Sequence, residues 1–380
     1  MIKKYLYKLL KFKPSKKTIL SAVFVTFGFL VSFIYFLPSG YVYNQIYTPL
    51  LEVETREQIF DDIYINQNSN QFLPSLIADI NSAKARIDVL MFSIDHPLVF
   101  ESLKQAVDRG VEVKIVTDNS KVDTLDMYVN DFRIITPNDD LDMSKRMFYM
   151  HHKLVLIDNH TVYFGSNNIT NFQLEIDNGY MIKSTNSDLI TSLIPELDTV
   201  LSGKSSFEKL ERLYNPFLSK ITTLDSNEYL SIWRNPGLKN LNVKNEILKM
   251  IASAKSDIDL LMWFFSDDQI LSSLEKKLAQ GVTVNLFWDA FAAKSDEVFL
   301  EDVLTLEKKY PNLNLSLIET KDKFGNLSYF HFHVMIVDSR EIIFGTNNWS
   351  TNGFYFNDEL IMFSNQKALI DRFKEVILFN

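Results

Sequence analysis

His151, Lys153 and Asp158 stand within HHKLVLID, and His331, His333 and Asp338 within HFHVMIVD, so two histidine-led sets recur at identical spacing. Each leads, after six intervening residues, into a turn rich in donors: Gly165-Ser166-Asn167-Asn168 in the first half and Gly345-Thr346-Asn347-Asn348 in the second. The apolar runs 154–157 and 334–337 read as short buried strands. Residues i and i+2 of a strand share a face, so His151 with Lys153, and His331 with His333, would point into one pocket. An imidazole can serve as nucleophile or proton donor, while the lysine and the turn hydroxyls and amides can hold phosphoryl oxygens. Such a set could cleave a phosphodiester without a metal ion.

The elements that must position these residues are themselves repeated. Residues 80–91 recur as 251–262 at an offset of 171, and Gly110-Val111-Glu112-Val113 recurs as Gly281-Val282-Thr283-Val284 at the same offset. Each copy reads as a helix, a strand (87–92 or 258–264), a second helix (99–108 or 270–279) and another strand (111–117 or 282–288), which predicts an α/β lobe. From the histidines onward the offset is 180, so the second copy carries nine extra residues within 290–329, expected at the pocket rim. The polar stretch 202–227, with Gly203 and Pro216, divides a first lobe, 50–201, from a second, 228–380.

The pattern resembles the phospholipase D superfamily: His-x-Lys, four residues, Asp, six residues, then Gly-Ser/Thr-x-Asn. The resemblance covers both halves and implies two α/β/α lobes related by pseudo-two-fold symmetry, with both histidines at their shared interface. It also implies a phosphohistidine intermediate, with no cofactor and no metal. On this pattern His151 attacks phosphorus, and His331 protonates the leaving alcohol and then activates water or a second alcohol. Lys153, Asn168 and Asn348, helped by Ser166 and Thr346, would hold the nonbridging oxygens. Asp158 and Asp338 would anchor the motif strands and interact with basic groups.

Two departures stand out. His333 occupies the place of the second lysine; a bound phosphate would favour its protonated form, which predicts an acidic pH optimum, whereas a decayed half-site would be inactive. Downstream, the family often has Asn-x-Glu, whose glutamate supports a catalytic histidine. Asn357-Asp358-Glu359 fits, but the first half has Asp177-Asn178-Gly179, leaving Asp177 or Glu175 as substitutes. A zinc reading of His331-x-His333 finds no HExxH pattern or cysteine pair beside it. His96, His152 and His160 read as structural or surface residues, and most of the 30 Phe and 16 Tyr as core, with Trp349 flanking the second turn.

The formal charge of −9 conceals an asymmetry, because seven lysines precede the first acidic residue. After the basic tail 1–17, residues 18–37 form an uncharged, mostly apolar stretch of twenty, about 30 Å as a helix, which predicts one transmembrane helix. The lysines place that tail in the cytoplasm and make the chain a single-pass type II protein, its catalytic body periplasmic, lumenal or extracellular. A cleaved signal fits less well, since h-regions run to only ~7–15 residues. The remainder holds 32 basic against 48 acidic residues, which disfavours nonspecific nucleic-acid binding, and the absence of cysteine excludes disulfides and thiolate metal sites. The leading expectation is a membrane-anchored enzyme that hydrolyses or transfers the head group of a glycerophospholipid. The alternatives are a lumen-facing exonuclease on single-stranded nucleic acid, a cardiolipin-synthase-like transferase, and a catalytically weak phosphate- or lipid-binding protein.

Overall fold

Alternating apolar residues build two sheets with the same centre. The computed structural model describes residues 51–65, 71–125, 131–137, 149–175, 177–203, 216–235, 242–321 and 327–378. The tail 1–17 and the segment 18–37 lie outside the described residues, among which no helix is long and apolar enough to cross a membrane.

The first sheet has seven strands in the order Asp62–Ile65, Tyr180–Ser184, Thr161–Gly165, Lys153–Ile157, Arg86–Met91, Glu112–Val116 and Arg133–Ile135. The last three are mutually parallel, and the motif strand Lys153–Ile157 runs antiparallel beside them. The second sheet repeats this centre with Glu359–Ser364, Glu341–Gly345, His333–Val337, Asp257–Met262, Thr283–Asp289 and Leu313–Ile318. Helices Phe72–Ser82 and Pro97–Asp108 of the first repeat correspond to Val243–Ser253 and Asp268–Leu278 of the second. The nine-residue excess falls where the second lobe forms helices Ala290–Lys294 and Glu297–Lys309.

The second sheet continues through Tyr229–Asn235 and Phe217–Thr223 to Leu51–Thr55. Leu51–Thr55 pairs in parallel with Phe217–Thr223, so the opening of the first repeat contributes an edge strand to the second sheet. Phe217–Thr223 itself comes from the stretch read as linker.

Strand alternation then assigns the core. Leu154, Leu156, Val334 and Ile336 join one apolar cluster drawn from both sheets. Val155 and Ile157 turn to the helices of the first lobe, and Met335 and Val337 to those of the second. Both motif strands are buried throughout, which fixes their register, because a one-residue slip would exchange the two faces.

Candidate active site

Each leading motif histidine, His151 or His331, follows a short segment held from two directions. Within its own lobe, the carboxylate of Asp118 accepts the Met150 amide at 2.9 Å, and that of Asp289 accepts the Phe330 amide at 2.8 Å. From the opposite lobe, the Asn357 side-chain oxygen accepts the Tyr149 amide at 3.2 Å, and Asp177 accepts the Tyr329 amide at 2.8 Å. The main chains also pair across the lobes: His151 N–H donates to Asp358 at 3.0 Å and His331 N–H to Asn178 at 2.6 Å. Each histidine is thus seated on the downstream triplet of the other repeat.

The consequence is centred on His151. Its Nδ1 lies 2.9 Å from Glu359 Oε2, and the Lys153 ammonium lies 3.1 Å from its Nε2 and 3.0 Å from its carbonyl oxygen. The Thr346 hydroxyl and the Asn357 amide donate to the Glu359 carboxylate at 2.5 and 3.1 Å. Glu359 and Lys153 are fully buried. Burial pulls the Lys153 ammonium down to about 7, against the opposing pull of Glu359, and pushes the Glu359 carboxyl up to about 8, against that of Lys153. A dry pocket resists separated charge, so an entering phosphate would favour the charged lysine.

His331 has neither support. Its Nδ1 and both ring nitrogens of His333 are buried without a hydrogen-bond partner. By symmetry its carboxylate would come from position 179, which is glycine. A Cβ there would meet the Asn167 side-chain oxygen at 1.9 Å, so Asn167 occupies the room a longer side chain would need. Asp177 binds the Tyr329 amide rather than His331, and the side chain of Glu175 lies outside the described residues. The two departures sit in different halves of the sequence, yet both fall on the same histidine. Burial, followed by the charge on Lys153, holds His331 well below the ordinary imidazole range; burial, followed by the charge on His331, does the same for His333.

The motif turns carry further detail. Gly165 and Gly345 permit close strand approach, because a Cβ at either would lie 2.2 Å from a carbonyl oxygen of the neighbouring strand. Ser166 Oγ and Thr346 Oγ1 each accept an amide at 3.0 Å, from Tyr180 and Leu360, and Asn168 Oδ1 accepts the Ser93 amide at 3.2 Å. Asn348 Oδ1 is buried and unpartnered. His152, one residue beyond His151, turns to the opposite face, where its Nε2 lies 2.6 Å from Glu196, itself 3.2 Å from the Arg234 guanidinium.

Asp158 and Asp338 are not beside the histidines. Each follows the far end of its motif strand, seven residues beyond His151 or His331, with the five-residue strand between them alone spanning about 17 Å by strand rise. Asp158 accepts the amides of Lys84, Ala85 and Arg86 at 2.7–2.8 Å, and Asp338 those of Lys255, Ser256 and Asp257 at 2.7–3.2 Å. Main-chain amides, joined at Asp338 by the Ser256 hydroxyl at 2.9 Å, and not basic side chains are therefore their partners, and these bonds tie the end of each motif strand to the start of the neighbouring strand. Partial burial alone would raise the Asp338 carboxyl, but hydrogen bonds from Ser256, Lys255 and Asp257 outweigh it and bring it to about 2. The folded value is depressed, so this contribution is complete at neutral pH and is lost as pH falls from ~4 towards 2. Asp158→Ala is expected to cost about 1–3 kcal/mol of stability by urea titration while kcat stays within about threefold of the parent. A large loss of kcat in a stably folded variant would contradict the anchoring role.

Asp118 and Asp289 were not apparent from the motifs, although they keep the 171-residue offset and each follows a repeated strand. Asn167 and Asn347 occupy the variable position of the turn; both are buried and their side-chain polar atoms have no partner.

Two lobes with histidines on crossed supports define a phospholipase D-type protein. Residues 76–201 and 247–378 match the family described as cardiolipin synthase, PLD-like domain, and the chain belongs to the phospholipase D superfamily. It is 25% identical over 330 residues to the cardiolipin synthase of Listeria welshimeri, covering 80% of this chain and 65% of that protein. It is 24% identical over 244 residues to cardiolipin synthase B of Escherichia coli K12, covering 59% of each. The chain thus spans less than two thirds of these relatives. The phosphatidylserine synthase of Haemophilus influenzae shares the fold, with a TM-score of 0.64 at 14% identity over 87% of this chain and 88% of that one.

Proposed function

We propose that the protein is a phosphatidyltransferase similar to the cardiolipin synthases, moving a phosphatidyl group from one alcohol to another through His151. The observation that carries the assignment of roles is the Glu359–His151–Lys153 cluster. The Glu359 carboxyl on Nδ1 favours the imidazole tautomer with its lone pair on Nε2; that lone pair faces the Lys153 ammonium and becomes available for attack when the lysine turns to the phosphoryl oxygens whose charge it offsets. Attack by Nε2 forms the N–P bond, and the departing alcohol oxygen takes its proton from His331. Neutral His331 then accepts the proton of an incoming alcohol, whose oxygen attacks phosphorus and releases His151. Ser166, Asn168, Thr346 and Asn348 are the proposed oxygen ligands. Residues 18–37 would anchor the chain, with the body on the non-cytoplasmic side.

Of the hydrolysis or transfer expected from the sequence, transfer takes precedence, because the curated relatives carry the names of synthases. The test supplies the full chain, in EDTA, with vesicles of a glycerol-headgroup phospholipid and, separately, single-stranded DNA, beside a His151→Ala control. A dimeric lipid product with free glycerol supports transfer. Phosphatidic acid alone would make the protein a hydrolase, nucleotide release a nuclease, and no turnover of either a binding protein.

The low imidazole pKa values of His331 and His333 bear on pH. In its protonated form His333 supplies the phosphate-facing cation that lysine would otherwise provide, and burial disfavours that form, so activity is expected to fall as pH rises above the acidic range. A lysine side chain is intrinsically about four units more basic than imidazole, so His333→Lys is expected to extend the kcat/KM profile upward by about one unit or more. An unchanged profile would remove His333 from the explanation.

A further inference from the structure

The surroundings of His151 and His331 differ in character. Beside His151, the Phe92 ring lies under the ammonium groups of Lys121 and Lys153, at 5.4 and 5.6 Å from its centroid. The symmetric ring beside His331 is Trp263, 5.7 Å from the imidazole, and no lysine or arginine of the described residues lies over it. Instead Trp263 meets Tyr329 at 4.5 Å and Phe291 at 6.4 Å, and Tyr329 reaches Phe172 of the other lobe at 5.8 Å. Phe291 is 55% exposed and Phe172 38%.

The collar is part of a wider bias. Among the described residues the exposed large apolar side chains are Leu98, Val107, Phe172, Leu224, Phe291, Val298 and Leu317. All but Val107 and Leu224 lie at the end of the sheets where the parallel strands finish and the histidines begin. Exposed apolar groups gathered at one rim mark an interaction surface.

We propose that the collar of Phe172, Trp263, Phe291 and Tyr329 docks on a lipid bilayer, presenting the His331 side of the site to lipid. The inference rests on the phospholipid reading given above and names the surface through which that substrate arrives. A phosphate site within one ring of exposed aromatic groups suits an amphiphile whose charged and apolar parts are a few ångströms apart. Aromatic rings alone could equally stack on nucleobases. Exposed Val298 and Leu98 offer nothing to a base but suit acyl chains, so lipid is the occupant chosen.

The test places the full chain in vesicles whose acyl chains carry bromine, a short-range quencher of tryptophan fluorescence. Trp288 and Trp349 are buried and the half-buried Trp233 is unchanged in the variant, so the quenching lost in Trp263→Phe reports the collar. That difference is expected to be about half or more of the total, and to shrink at least about twofold in Phe291→Asp. In parallel, Val298→Asp is expected to reduce turnover of vesicle lipid by about tenfold while turnover of a monomeric short-chain phospholipid stays within about twofold. Equal quenching in the parent and Trp263→Phe would overturn the docking surface even if lipid is turned over. Quenching through Trp263 with neither lipid turned over would keep the surface and remove the transferase reading.

Discussion

His151→Ala is expected to reduce turnover by at least about 10⁴-fold and to leave no phosphoenzyme, because the proposed N–P bond forms at its Nε2. His331→Ala should reduce turnover comparably with an ordinary substrate but accumulate the phosphoenzyme when the leaving alcohol needs no proton, as with a nitrophenyl ester. Phosphohistidine survives alkaline quench and decays in acid, so labelled substrate quenched in base and then acidified identifies it. The asymmetry of the site motivates this division of labour: His151 has its Nδ1 partner and an adjacent ammonium, whereas His331 Nδ1 has none. Label retained in His151→Ala and absent from His331→Ala would reverse the roles.

The second large effect concerns Glu359. Glu359→Gln keeps the shape but loses the carboxyl that orients His151 and, ionised once a bound phosphate favours the charged Lys153, stabilises the positive charge that develops on the ring. A fall in kcat of about 10²–10³-fold is expected, with KM changed far less. Since Glu359 belongs to the second repeat and His151 to the first, the effect also tests the crossed assembly. A wholly structural role would lower thermal stability and leave kcat per folded molecule near the parent value. Asp177→Asn offers the contrast: its partner is the Tyr329 amide, so it should displace the His331 segment without altering the His151 phosphoenzyme.

The internal repeat made much of the fold readable. Helix, strand, helix, strand at 171-residue spacing became Phe72–Ser82 through Glu112–Val116 and Val243–Ser253 through Thr283–Asp289, because these segments are local and their apolar period matches their burial. Leu51–Thr55 and Phe217–Thr223 were not readable as partners, since strand pairing across so long a separation leaves no periodic trace in either segment. The motif also grouped Asp158 with His151, although a five-residue strand carries the two apart.

By itself the sequence determined the superfamily, the two lobes and the identities of His151, Lys153, His331 and His333, because fixed short spacings on a strand dictate which side chains share a face. It also carried both irregularities, His333 and Gly179, as separate facts in separate halves. Only the tertiary structure decided that they meet. The segment before each histidine pairs with the triplet of the opposite repeat, so a carboxylate at 359 serves His151 and a glycine at 179 leaves His331 bare. That exchange depends on how two lobes face one another, a relation set by long-range packing rather than by any local pattern.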